Sequence, residues 1–271
     1  MTDCGSWDVF GGESDQLILS VGFPVAGRRE AGFAELAKKI GAKYRFLQAK
    51  LPTSSPGPRV SGAAYVRHWI DEIQGQPVAA VLGHDACSVY ATALAEGIAQ
   101  WQQSPRVILF DPRLASAGLL GHELYREIES ISSLLSDDEI ERAGRLAAEI
   151  AESSPGDVAD AADAATGIYW EISSVAYDRA GIGGNYCRKS FAPFESYMSL
   201  LSAAGQVDRS KAWNRATAMV SFDYQDGPYN SLPAADTCGA IRHSIPFDIS
   251  HKDLLRSDSV AKKVLELLEF R

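Results

Sequence analysis

The chain reads as an α/β protein with a mostly parallel central sheet, helices on both faces and a helical insertion. Three observations carry this reading. Apolar runs of strand length, at 17–23, 44–47, 78–82 and 106–111, alternate with helical patterns over the first part of the chain. That order builds a parallel sheet through right-handed crossovers. From about Leu114 to Trp213 the strand pattern stops and only helical spacing is found. Strand pattern then resumes at Ala216–Phe222 and Ala240–Phe247. The expected core is therefore residues 1–113 and 214–271, with 114–213 inserted as a helical lid.

Taken in order, residues 1–16 are polar and read as a lead-in. Leu17–Phe23 is a strand that runs into the turn Pro24-Val25-Ala26-Gly27. Ala31–Ile40 has helical spacing through Phe33, Leu36, Ala37 and Ile40, and stops at Gly41. A short strand at Tyr44–Leu47 precedes a Pro/Ser/Gly loop over Pro52–Pro58. Val60–Ile73 reads as a helix with Ala64, Val66, Trp69, Ile70 and Ile73 on its apolar side. In the insertion, Glu123–Ile131, Asp137–Ser153, Val158–Ala176 and Ala192–Ala204 read as helices, and Ile182-Gly183-Gly184-Asn185-Tyr186 as a hinge or turn. The aromatics Tyr169, Trp170, Tyr177, Tyr186, Phe191, Phe194 and Tyr197 belong mostly to the insertion's own core, with some left to line a substrate path. Ser257 is placed to cap a last helix, whose inward face is Val260, Val264, Leu267 and Leu268.

At 271 residues, 46% apolar and 23% charged, the chain has the makeup of a globular protein with a large core. A net charge of −9 argues against nucleic acid as the main ligand, because phosphate backbones are held by clustered Lys and Arg. No apolar run reaches the ~18 residues of a membrane span, and residues 1–8 lack the pattern of a signal peptide, so a cytoplasmic location is expected. The four cysteines, Cys4, Cys87, Cys187 and Cys238, form no Cys-x-x-Cys pair and read as free thiols rather than a metal or disulfide framework. No Gly-x-Gly-x-x-Gly, Walker sequence or metal-ligand spacing is present, so no cofactor and no metal is expected.

The chemistry concentrates at Val78–Cys87. A five-residue apolar strand, a glycine, a polar residue and a helical start make the layout of a nucleophile elbow, Gly-x-Ser-x-Gly. Here it reads Gly83-His84-Asp85-Ala86-Cys87. Aspartate stands in the serine position and cysteine in the second glycine position. Ligands in open parallel sheets bind beyond the carboxyl ends of the strands, and Asp85 and Asp111 both sit at such ends.

These segments together resemble the α/β-hydrolase-fold thioesterases of nonribosomal peptide and polyketide synthases. Phe23-Pro24-Val25-Ala26-Gly27 is similar to that family's Phe-Pro-Gly-Ala-Gly segment, and Gly83-His84-Asp85-Ala86 to its Gly-His-Ser-Ala elbow. The strand ending in Asp111 is similar to the one that carries the triad acid, and Ser250-His251-Lys252-Asp253-Leu254-Leu255 to the segment with the triad histidine. The order elbow, acid, lid, histidine matches as well. The resemblance implies an α/β-hydrolase fold and a site made of Asp85, His251 and Asp111. It also implies oxyanion-holding amides at Val25, Ala26 and Ala86. Asp226 or Asp223 is the rival acid. His84 and Cys87 are accessory candidates, His84 as a packing residue and Cys87 as a displaced nucleophile.

Asp85 has three readings: a nucleophile towards an sp³ carbon, a general base, or a relic. Attack on a thioester is less attractive, since it yields a reactive mixed anhydride. A bland reading makes Asp85 the N-cap of the helix beginning at Ala86. Two carboxylates around one imidazole favour the imidazolium, so His251 suits proton donation to a leaving group. The expected protein is a biosynthetic, thioesterase-like enzyme of secondary metabolism. It would take an acyl or aminoacyl intermediate, carried by a carrier protein or offered with a pathway-enzyme partner, through cyclisation, substitution or an atypical hydrolysis. The alternatives are a conventional type II editing thioesterase and an inactive hydrolase-like binding partner.

Overall fold

A computed structural model describes residues 5–23, 30–51, 60–153, 158–207, 213–224, 241 and 243–269. Its seven strands are β1 (Trp7–Val9), β2 (Leu17–Val21), β3 (Arg45–Ala49), β4 (Val78–His84), β5 (Arg106–Phe110), β6 (Thr217–Ser221) and β7 (His243–Phe247). They form one sheet in the order β1-β3-β2-β4-β5-β6-β7. Every pairing is parallel except β1 with β3, which is antiparallel. The central strands are covered on both faces, which is why β2, β4 and β5 are nearly continuous apolar runs.

The period-two alternation of a strand sends neighbouring side chains to opposite layers. Leu17, Leu19, Val21, Val81 and Leu109 join a core with Trp69, Tyr90 and Leu94. Ile18, Ala80, Leu82 and Ile108 join one with Phe33, Leu36, Val260 and Val264. The helices α2 (Gly62–Asp71) and α3 (Ser88–Ile98) thus lie on one face of the sheet, and α1 (Phe33–Ile40) and α8 (Asp258–Glu269) on the other. Ser257 caps α8 as expected, its hydroxyl accepting from the Val260 amide at 3.4 Å.

Between β5 and β6 the described residues form four α-helices, α4 (Ala117–Ser130), α5 (Asp137–Glu152), α6 (Val158–Arg179) and α7 (Gly184–Ala204). The start of α5 is a capping box, in which Ser136 and Glu139 satisfy each other's amides. The insertion is anchored to the core through α3, where the Tyr90 hydroxyl donates to the Leu200 carbonyl at 2.7 Å. Tyr169, Phe194 and Tyr197 are buried, while Trp170 and Tyr186 remain 36% and 59% exposed.

Three elements depart from expectation. Helix α4 begins at Ala117, well before the expected Glu123, with Ser116 as its cap. The lead-in contains β1, an edge strand held by Trp7, whose indole N–H donates to the Trp69 carbonyl at 3.1 Å. Three residues with one inward side chain leave too short a pattern to read as a strand. In addition, α7 begins at Gly184 and runs through Pro193 rather than starting at Ala192. Among the described residues, no helix is long and apolar enough to cross a membrane.

The β4–α3 junction depends on Gly83. A Cβ there would lie 2.7 Å from the Ser88 Cα and 2.8 Å from the Ala91 Cβ, so the helix backbone passes directly against the strand. Gly83→Ala should lower stability by about 1–3 kcal/mol through overpacking, read as a lower urea midpoint at unchanged slope.

Candidate functional site

The turn after β4 is a short 3₁₀ segment, Asp85–Cys87, that leads into α3. Asp85 has φ 51°, and Asp111, directly after β5, has φ 42°. Left-handed backbone is unfavourable for most residues but is tolerated by Asp and Asn. The cost, on the order of 1 kcal/mol, is met by local bonding. The Asp85 carbonyl accepts from the Ser88 amide and, at 3.3 Å, from the Arg113 amide. The N-cap position of α3 is Cys87, and no side-chain capping bond forms there or at His84 before the turn. This departs from the reading of Asp85 as a simple cap, because the turn interposes between Asp85 and the helix.

Asp111 follows β5 and is fully buried. It accepts from the Ser221 amide at 2.8 Å and the Ser221 hydroxyl at 2.7 Å, both at the end of β6. His251 donates from Nδ1 to Asp111 Oδ2 at 2.7 Å. The rival Asp223 accepts instead from the His251 backbone amide at 2.7 Å. One carboxylate therefore holds the ring and the other the backbone. Asp226 lies outside the described residues, as do Val25 and Ala26. Ala86 is buried in the turn directly after Asp85.

His84 stacks on His251 with ring centroids 5.0 Å apart and planes inclined by 14°, and meets Phe33 edge-on at 6.3 Å. Its Nε2 is buried with no hydrogen-bond partner among the described residues. Burial, and then the charge of His251, push His84 down to about 4, so it is a neutral packing face. For His251, burial opposes charge, but the bond to Asp111 and the charges of Asp85 and Asp111 outweigh it, so its pKa is raised. The thiol of Cys87 is buried and pushed well up, by burial first and then by the Asp85 charge. A thiol so placed stays protonated and unreactive, which argues against the displaced-nucleophile role.

Asp85 is brought to the same strand ends as His251, within range of its charge. Its ion-pair partner is a residue the sequence reading missed. Arg113 Nε lies 3.4 Å from Asp85 Oδ1, with the two side chains only 15% and 19% exposed. The guanidinium lies 5.6 Å from the Tyr224 ring centre, and the Tyr224 hydroxyl donates to the Pro112 carbonyl. Glu123, a buried carboxylate on α4, adds its charge nearby. The available signal was positional: β4 and β5 are adjacent and parallel, so a cation just past the end of β5 falls beside the turn after β4. No group of His, Cys, Asp and Glu among the described residues is arranged to hold a metal ion.

Comparison of the sequence with protein-family models and with curated proteins gives no match. Solved structures do match in fold. The Vlm2 thioesterase domain, carrying 2,3-diaminopropionic acid and bound with a dodecadepsipeptide, superposes with a TM-score of 0.52 at 15% identity, over 97% of this chain and 97% of that one. The NocB thioesterase domain, in covalent complex with a fluorophosphonate nocardicin G analogue, gives 0.51 at 12% identity over 97% and 99%. MGS-M2, an α/β hydrolase from a Medee basin deep-sea metagenome library, gives 0.50 at 11% identity over 97% and 91%. The chain has the α/β-hydrolase fold.

The two stacked histidines should titrate on opposite sides of the ordinary value of about 6.5. Proton NMR should find His84 near pH 4 and His251 above its usual midpoint. The raised His251 stabilises the fold below the unfolded value, and this contribution is lost as pH rises through the folded midpoint. His84 opposes it, costing stability as pH falls below the ordinary histidine range. Coincident midpoints for the two rings would contradict this.

Proposed function

We propose that the chain is a thioesterase-like enzyme of a biosynthetic pathway. Its substrate is an acyl or aminoacyl intermediate, presented as a thioester on a carrier protein. The observation that carries this reading is a carboxylate on the left-handed elbow residue, within the electrostatic range of a histidine bonded to a buried carboxylate. The likeness in fold to thioesterase domains, one of them bound with a dodecadepsipeptide, supports the substrate class. The insertion α4–α7, entered and left between β5 and β6, would cover the site as a lid.

Asp85 works best as a general base in this arrangement. Attack by its oxygen on a thioester carbonyl would replace one reactive acyl species with another. As a base, Asp85 takes the proton of an amine, hydroxyl or water that attacks the carbonyl. The carbon–sulfur bond breaks, and the departing thiolate takes a proton from His251 Nε2, since Nδ1 is committed to Asp111. Returning the proton from Asp85 to His251 restores the resting state. An internal nucleophile gives cyclisation, and water gives hydrolysis. A second role, as a nucleophile towards an sp³ carbon, breaks that carbon's bond to a leaving group, which departs with the electron pair and takes a proton from His251, and leaves a covalent ester on Asp85 that mass spectrometry would detect.

Asp85→Asn keeps a residue that tolerates positive φ while removing the base. It should lower turnover of acyl-carrier thioesters by roughly a hundredfold to ten-thousandfold, with an unchanged thermal melt. Full activity in that variant would remove Asp85 from the mechanism. Intact-protein mass spectrometry during turnover should show no adduct for the base role.

A further inference from the structure

We infer that Arg113 is the positioning residue for Asp85: it holds the elbow carboxylate ionised and aimed, as Asp111 does for the imidazolium of His251. The inference rests on the reading that Asp85 acts in the reaction, but its main test does not require turnover.

The geometry is specific. Arg113 meets the elbow twice, through a hydrogen bond from its amide to the Asp85 carbonyl at 3.3 Å and through an ion pair of Nε with Asp85 Oδ1 at 3.4 Å, a separation without hydrogen-bond geometry. Its guanidinium is steadied by the Tyr224 ring, and the loop that carries it is tied by the Tyr224 hydroxyl to Pro112. The pair is largely withdrawn from solvent, so it is screened far less than a surface ion pair.

The charged groups around the pair form an alternating series. Arg113 is positive, Asp85 negative, His251 positive and Asp111 negative. From α4, Glu123 faces Arg113. From β4 and its turn, His84 and Cys87 face Asp85, His84 neutral and Cys87 protonated. Helices α3 and α7 also pack on the turn. They bury only uncharged residues, with Tyr90 on α3 and Cys187 and Tyr197 on α7 as their titratable groups.

This series addresses a problem particular to an aspartate elbow. Asp85 and His251 lie in each other's field and can share one proton in two ways. Either Asp85 is ionised and His251 charged, or both are neutral. Only the first arrangement holds both a base and a proton donor. Asp111 favours it from the imidazole side. Arg113 favours it from the carboxylate side, because a cation beside a carboxylate stabilises the charged form; its charge opposes the His251 cation, but less than the charges of Asp85 and Asp111 favour it. An arginine also stays charged at any working pH.

The test is a ¹³C NMR titration of protein labelled at aspartate carboxyls, with Asp85 identified by the resonance that Asp85→Asn removes. In Arg113→Met the Asp85 midpoint should rise by about one pH unit or more, and Arg113→Lys should restore most of the difference. With an acyl-carrier thioester as substrate, the acid limb of the rate profile should move up with it. If Arg113→Met does not fold, Arg113→Gln replaces it, compared with Arg113→Lys. An Asp85 midpoint that moves by less than about 0.3 unit in a folded variant without the cation overturns the inference. That result leaves the functional reading intact if Asp85→Asn is inactive. Conversely, an active Asp85→Asn overturns the functional reading, while a shifted titration still upholds the Arg113–Asp85 pairing.

Discussion

The close passage of α3 against β4 at Gly83 is the constraint on which the site depends. With a backbone atom of Ser88 only 2.7 Å from where a Cβ would sit, the chain cannot leave the strand gradually. It turns within Asp85–Cys87, and Asp85 takes up the strain in a left-handed conformation. That conformation lifts the side chain from the sheet towards the ends of β5 and β7, where His251 and Arg113 meet it. Asp111 repeats the device one strand along, leaving β5 with positive φ and turning its carboxylate under the imidazole. Two adjacent strand ends thus deliver two carboxylates to one histidine.

Burial then decides which protonation states survive. A carboxylate as deeply buried as Asp111 persists as an anion only with strong partners. It has three, two from Ser221 and one from His251. His84 has none at Nε2 and stays neutral. The two stacked rings therefore differ in charge although they lie in the same pocket. The neutral ring presents a flat face to the charged one without competing for Asp111.

The sheet is legible in the sequence because strands covered on both faces must be continuously apolar. The elbow, the acid and the histidine are legible because each ends or follows such a strand. Strand β1 is not, since an edge strand of three residues carries one inward side chain, Trp7. The first half of α7 is not either. Pro193 lacks an amide donor and reads as a break, yet the helix runs through it. Arg113, Ser221 and Tyr224 escape sequence reading for a different reason. Their roles exist only across neighbouring strands, and nothing in the spacing of one segment reports the register with the next. The same register explains why Asp111 takes the ring while Asp223 takes the backbone of His251.

An aspartate in place of a serine at an elbow changes the charge of the site by one unit, and a charge cannot be left in a half-buried turn without a response. A serine would need His251 as a neutral base. An aspartate adds to the effect of the Asp111 bond in raising His251 towards its cation, which disfavours that role. The site has what the altered charge requires: a guanidinium beside Asp85, and a protonated Cys87 in the turn that adds no further charge. A relic carboxylate has no need of a largely buried arginine held beside it by an aromatic ring and a backbone hydrogen bond. The charges around Asp85 are balanced for an ionised carboxylate beside an imidazolium, and that balance is the physical argument for a site that exchanges protons.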